Sequence, residues 1–414
     1  MEPRWLQNKR SEAAKDFAML PIPSKDEFWR RTDLKKVKMD RFTPLPASAN
    51  GALEHAASKL LPVAMKLSGE FLYGEKTSPV TLEKTWAEKG VILKPLNKAL
   101  LENEDLVSKY LGRGLSGRNE KFLSQNDAFW QTGAFCYIPP NTTVELPLLM
   151  NGFYSSGGKA AFPRILIVLG QGAQATVINF ASSKAEEGEN FLNGITEVYL
   201  EENANLTWID LQDLSLETSE VSLKRVELAA NANLKWVTDI QGGKISKTNI
   251  ETVLNGPGAR AEVVGLFCGR GKQHLEICAT THHTAPYTTA DILFKGTADD
   301  QSKIVFQGMI RIEKSAQQTE SFMANHNMIL NEQAHAESIP RLEILADEVK
   351  ASHGATVGQV DKEKLFYLQS RGLTKEFAEQ LLVDGFYEDI FGRIPLEPVR
   401  ELMRKNMETR KHVL

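Results

Sequence analysis

The chain has 414 residues, 42% apolar and 25% charged, with a formal net charge of −4, a size that allows two or three domains and a substantial core. The near balance of 49 basic and 53 acidic residues speaks against a general nucleic-acid footprint. The start "MEPRWLQNKRSEAAKDF" lacks an apolar stretch of signal-peptide length, no later run approaches a membrane span, and Cys136, Cys268 and Cys278 are too few and scattered for a disulfide framework, so a cytoplasmic chain with reduced thiols is expected.

Residues 1–120 are expected to form a mainly helical domain. "ALEHAASKLLPVAMKL" and "PLNKALLENEDLVSKYL" place apolar residues at three- and four-residue intervals, with proline-rich segments between such pieces. "GRGLSG" (112–117) matches a bare GxGxxG, but "LVSKYL" before it reads as helix, whereas a dinucleotide turn needs a strand leading in. "GFYSSGGKA" has the wrong spacing for a phosphate loop, and Ala160 stands where a hydroxyl would hold magnesium. HExxH, GxSxG and kinase signatures are absent.

From residue 121 to about 358 the texture becomes β-branched and aromatic, punctuated by Gly and Asn. A repeat runs through it: "LGQGAQATVI" (169–178), "LEENANLTWI" (200–209), "LAANANLKWV" (228–237), a looser "LNGPGARAEVV" from Leu254, and "LNEQAHAESI" (330–339). Repeats of this size made of strand-like units with Gly or Asn corners predict a parallel β-helix, because those residues tolerate left-handed backbone angles. Period-two alternation puts Ala204, Leu206, Trp208 and Ala232, Leu234, Trp236 inward, with Asn205, Thr207, Asn233 and Lys235 outward.

In that register "LADEVKASH" turns Val349, Ala351 and His353 inward, with Ser338 matching His353 one unit earlier. The small neighbours Ala351, Ser352, Gly354 and Ala355 leave clearance around the imidazole. Two readings stay open: a satisfied core histidine, or a neutral imidazole available as a metal ligand or proton carrier. His282 and His283 fall on opposite faces and cannot chelate one ion, and His335 takes an outward offset. His326 precedes the leading leucine of its unit, within reach of a site at the coil edge.

After residue 359 the helical period returns. "DKEKLFYLQSRG" has Asp361 as N-cap and Gly372 as stop, and a second helix starts at Thr374 with Phe377, Leu381 and Leu382 on one face. Leu365, Phe366, Tyr367, Phe386 and Phe391 are expected to form an aromatic surface, either a cap closing the solenoid or a docking site.

"PRLEILADEVKASHGATVG" followed by "LFYLQSRGLTKEFAEQLLVDGF" closely resembles the SufB/SufD family of iron–sulfur cluster assembly scaffolds. "VLNGPGARAEV", "KDEFWRRTDL" and "NDAFWQTGAFCYIPP" are similar too, and the length and N-terminal segment resemble the SufD type. The resemblance implies a right-handed parallel β-helix core between helical N- and C-terminal domains. It implies a non-catalytic subunit of a SufBCD complex, with ATP hydrolysis in a SufC partner. Leu365, Phe366, Tyr367, Arg371 and Gly372, with Phe377, Leu381 and Phe386 of the next helix, would dock that ATPase.

By the same resemblance His353 would hold a transient iron–sulfur cluster or iron at the interface with a SufB-type scaffold, with His326 as a weaker candidate. Imidazole is an established substitute for thiolate in such clusters. Thr252 stands where the B subunit carries a cysteine, which favours the D type. Flavin binding is left open, and a homodimer is allowed in isolation. The alternatives are a homodimeric β-helix binding or structural module without a metal role, and a carbohydrate-active β-helix enzyme. The latter wants outward acidic pairs, where this repeat carries mainly Asn, Thr, Lys and Gln.

Overall fold

In the computed structural model, which describes residues 2–37, 39–45, 49–50, 65–118, 120–183 and 188–409, strands alternate between two large sheets. One sheet contains Thr132–Ile138, Pro163–Leu169, Asn190–Leu200, Thr218–Leu228, Ile245–Leu254, His274–His283, Lys303–Ile312 and His335–Ile344; the other runs from Leu148–Tyr154 to Val349–Gln359. Neighbours along each series are parallel. The result is a mainly β protein: a parallel solenoid of about eight turns with flanking helices at both ends of the sequence.

The alternation read from the sequence sets the stacking. Val177, Trp208, Trp236, Val263, Ile292, Met323 and His353 are paired in turn along one inward column. Trp208 and Trp236 are wholly buried, with ring centroids 4.3 Å apart. Such a pair contributes about 0.5–1.5 kcal/mol beyond its area burial.

The corners explain the Asn and Gly positions. Gly172, Asn203, Asn231 and Gly258 have φ of 66°, 58°, 55° and 74°. The amides of Gly172, Asn203 and Asn231 reach the next coil's carbonyls at Glu202, Ala230 and Pro257, over 2.8–2.9 Å. The solenoid continues through two units that the leucine repeat misses. Their corners are Tyr287 and Gln318, also at positive φ, and their leading positions are His283 and Ile312. The copy at Leu330, in contrast, leads into His335–Ile344 of the opposite sheet. The residue one coil before His353 is therefore Met323, not Ser338.

Near the N-terminus, helices α1 (Arg4–Met19), α2 (Lys84–Glu88), α3 (Leu96–Glu102), α4 (Glu104–Tyr110) and α5 (Lys121–Phe129) accompany strands Gly69–Gly74 and Ile92–Pro95, which extend the two sheets. The helical prediction for "ALEHAASKLLPVAMKL" falls mostly on residues 52–64, outside the described residues. The segment around Phe28–Thr32 is clamped onto the outer face of the first sheet. Beneath it Lys247 Nζ lies 2.6 Å from Glu276 Oε1, with both side chains fully buried. Burial alone would raise the Glu276 carboxyl, but hydrogen bonds from His274, Lys247 and Thr32, with the Lys247 charge, bring it down to about 2. "GRGLSG" forms a short 3₁₀ turn at Arg113–Leu115, not a strand-to-helix phosphate turn.

At the C-terminus α6 (Lys362–Ser370), α7 (Lys375–Phe391) and α8 (Glu397–Thr409) follow the last strand. Val383, Tyr387, Ile390 and Phe391 of α7 and Leu402, Met403 and Met407 of α8 cover a row of outward residues of the second sheet, from Leu72 to Leu293. Helices α7 and α8 therefore line the flank of the solenoid and do not plug its end. Among the described residues no helix is long and apolar enough to cross a membrane.

Two consequences are measurable. Trp236→Ala is expected to cost about 3–5 kcal/mol in urea unfolding; a loss under about 1 kcal/mol would show that the column does not hold the coils. Asp239, buried on the flank, has Oδ1 without a partner among the described residues, and burial pushes its carboxyl up to about 8 against the hydrogen bond from Gln241. Between the ordinary Asp value and that one, the folded chain keeps a proton the unfolded chain has lost. Stability then falls as pH rises, by about 1.4 kcal/mol per unit for one proton. Asp239→Asn is expected to melt above the parent at pH 8 and to flatten this slope, and an unchanged pH profile would rule the assignment out.

Candidate functional site

Among the described residues no coil covers the end of the solenoid. His335–Ile344 and Val349–Gln359 end their sheets, each paired on one side only. An unpaired strand edge offers a row of backbone donors and acceptors to another chain. Around it Phe322, Leu342, Ile344, Leu345 and Val357 are 37–48% exposed. The repeat reading missed this apolar rim; its signal was Leu, Ile and Val in the last units with no further unit to cover them.

His353 lies on this open end. Its pairing with Met323 confirms the inward register, yet the imidazole is exposed, because no coil follows. The expected packed or semi-enclosed setting is therefore absent: parity fixes direction, and enclosure needs a neighbour. The expected clearance is present, since a Cβ built on Gly354 or Gly358 would meet nothing within 4 Å. A core histidine does exist, at His283. Its Nδ1 is 2.8 Å from Thr288 Oγ1 and its Nε2 3.0 Å from Ser321 Oγ, and burial, helped by His282, lowers its pKa to about 3. His282 faces the other way, toward Glu313.

His326 does not join His353. It occupies the outward column between Lys295 and Thr356, with Nδ1 2.8 Å from Thr356 Oγ1. Burial and then the Lys295 charge lower its pKa. The two imidazoles sit on opposite faces of one sheet and cannot share an ion. His326 instead neighbours the anchorage of α7, where Lys295 Nζ donates to Asp389 Oδ2 and the Phe386 carbonyl, both at 2.7 Å. His335 is outward and exposed beside Glu337, as its offset predicts.

Among the described residues no three His, Cys, Asp or Glu side chains gather as a metal site. The cysteines are all buried away from the open end. Burial raises the Cys268 thiol and pushes Cys136 and Cys278 up to about 12, the latter despite the Lys247 ammonium. Thiols of this kind are poor nucleophiles and ligands at neutral pH. Thr252 is buried inside the solenoid.

The docking candidates divide by depth. Asp361 caps α6 by accepting from the amides of Glu363 and Lys364, Thr374 caps α7 through the Phe377 amide, and Gly372 turns between them at φ 92°. Phe366, Tyr367, Phe377 and Leu381 are 46–72% exposed, and the Arg371 guanidinium lies over the Tyr367 ring at 5.1 Å. Leu365 is half-buried. Phe386 is half-buried beneath Lys295, and Phe391 is wholly inside. Those two rings therefore anchor the helix and do not belong to the exposed surface predicted for them, because they fall on the α7 face turned to the sheet.

Comparison with known proteins agrees with this architecture. Residues 153–386 match the family model described as SUF system FeS cluster assembly, SufBD core domain, and residues 2–150 match the SufBD protein N-terminal region. Proteins named iron–sulfur cluster assembly SufBD family protein from Staphylococcus saprophyticus, Staphylococcus aureus and Staphylococcus epidermidis are each 27% identical, over 97% of this chain and 89% of their own length. An open-ended β-solenoid with helices along its flank, matched over nearly its whole length, places the chain in the SufBD family, whose members take part in iron–sulfur cluster assembly.

Proposed function

We propose that this chain is a SufD-type scaffold subunit: it holds one side of a nascent iron–sulfur cluster through His353 and carries the docking helices for a SufC-type ATPase. The observation that supports this most is the position of His353. It ends an apolar inward column at the open end, with small neighbours and no thiol nearby. A lone imidazole cannot complete a cluster site, so the remaining ligands come from a partner facing the same end. A SufB-type scaffold supplies them by adding its own strands to the unpaired edges. In isolation the same edges and apolar rim suit a second copy of this chain.

The chain itself is non-catalytic in this reading. Its imidazole supplies a nitrogen ligand, and the cluster is cargo. The SufC-type ATPase docks on α6 and α7, where Phe366, Tyr367, Phe377 and Leu381 present apolar area that the solenoid does not use. Aromatic anchors flanked by an arginine suit such a contact. The complex works in the cytoplasm, where thiols remain reduced.

Anaerobic co-expression with SufB- and SufC-type partners tests the ligand role. His353→Ala is expected to leave complex recovery unchanged and to lower bound iron and acid-labile sulfide together. Undiminished iron and sulfide in an intact complex would remove His353 from the site. The double variant Phe366→Ser/Tyr367→Ser is expected to melt like the parent, since both side chains are exposed, and to weaken ATPase binding at least about tenfold. Unchanged affinity in a pull-down titration would move the docking site elsewhere.

A further inference from the structure

A cavity of about 430 Å³ lies between the N-terminal segment and the edge of three successive coils, the last of them paired with the final strand His335–Ile344. Its walls carry Arg31, Lys36, Lys244, Lys272 and Lys303 against two carboxylates, Asp33 and Glu189. That is a concentration of positive charge in a chain whose net charge is −4. Lys244, Lys272 and Lys303 sit at the same edge of consecutive coils: the His274 amide donates to the Lys244 carbonyl, and the Lys303 amide to the Gln273 carbonyl. Coils about 4.8 Å apart bring the backbones of these three residues to one edge. Glu189 meets the charge of Lys244, and Glu337, just beyond the lining, is shared by Arg31 and Lys303. The ammonium groups of Lys36 and Lys272 have no partner among the described residues.

The opposite wall is rigidly placed. Thr32 bonds to the buried Glu276 and lies 2.8 Å from His274 Nε2, and Arg31 is 2.9 Å from Glu337. Asp33 is occupied in capping its own turn, accepting from the Lys35 amide. Val37, Phe42 and Ile245 add an apolar side. The cavity is thus concave, cationic on its rim and apolar on one wall, which suits a small molecule carrying a phosphate group better than a flat polyanion surface.

We propose that this cleft is an anion site for the phosphate group of a small phosphorylated molecule or free phosphate, with Lys36 and Lys272 as its uncommitted ligands. The proposal does not rest on the cluster reading: the lining shares no residue with the terminal strands or with α6 and α7, and Glu337 of the last strand meets it only through Arg31 and Lys303.

Calorimetric titration of the intact chain with phenyl phosphate and with inorganic phosphate, at constant ionic strength, tests it. Saturable binding is expected, weakened at least about tenfold in Lys36→Gln/Lys272→Gln and retained in Lys272→Arg. Lys84→Gln/Lys98→Gln removes the same charge from an exposed surface elsewhere, and is expected to bind as the parent does. Tighter binding of phenyl phosphate would assign an esterified phosphate held partly by the apolar wall; equal binding of the two would assign the free anion. No saturable binding, or the same loss in both double variants, would overturn the site.

Discussion

The parallel hydrogen-bonded ladder between coils is the constraint on which the rest of the molecule depends. It fixes each residue opposite its counterpart about one coil away, so a side chain's direction is inherited along a whole column. The column from Val177 to His353 shows the effect: seven positions share one direction, and only the last differs in surroundings. What makes His353 chemically available is that the ladder ends, not that its strand is built differently.

The same ladder creates two further surfaces. Along the flank, outward residues line up as an apolar face that α7 and α8 cover. On the other sheet, outward Lys247 and Glu276 pair beneath the N-terminal segment and fix it in place. A buried ion pair is weak support for stability by itself, but its hydrogen bonds to Thr32 and the Phe28 carbonyl tie a long irregular segment to one position. Each terminal region is thus attached to a different face, and the end of the solenoid stays free.

Much of this was legible in the sequence because period-two alternation and corner residues carry the fold directly. Trp208 and Trp236, the corners at Asn203 and Asn231, and the caps Asp361 and Thr374 all sit where the pattern put them. The misses have physical causes. The unit at Leu330 has the right residues but belongs to the other sheet, since both kinds of corner favour the same small and polar residues. His283 hid a unit by replacing its leading leucine. The exposure of His353, the separation of His326 from it, and the inward placement of Phe386 and Phe391 depend on which neighbour covers each face. A single chain's periodicity does not encode that.

The grip of α7 and α8 on the flank extends across strands from Leu72 to Leu293, and Lys295 pins the helix at Phe386 and Asp389. A pull on these helices would therefore be shared among several parallel strands and not borne by one. The tip that carries His353 lies beyond the strands that α7 and α8 bury, so a load entering at the flank would reach it through the ladders.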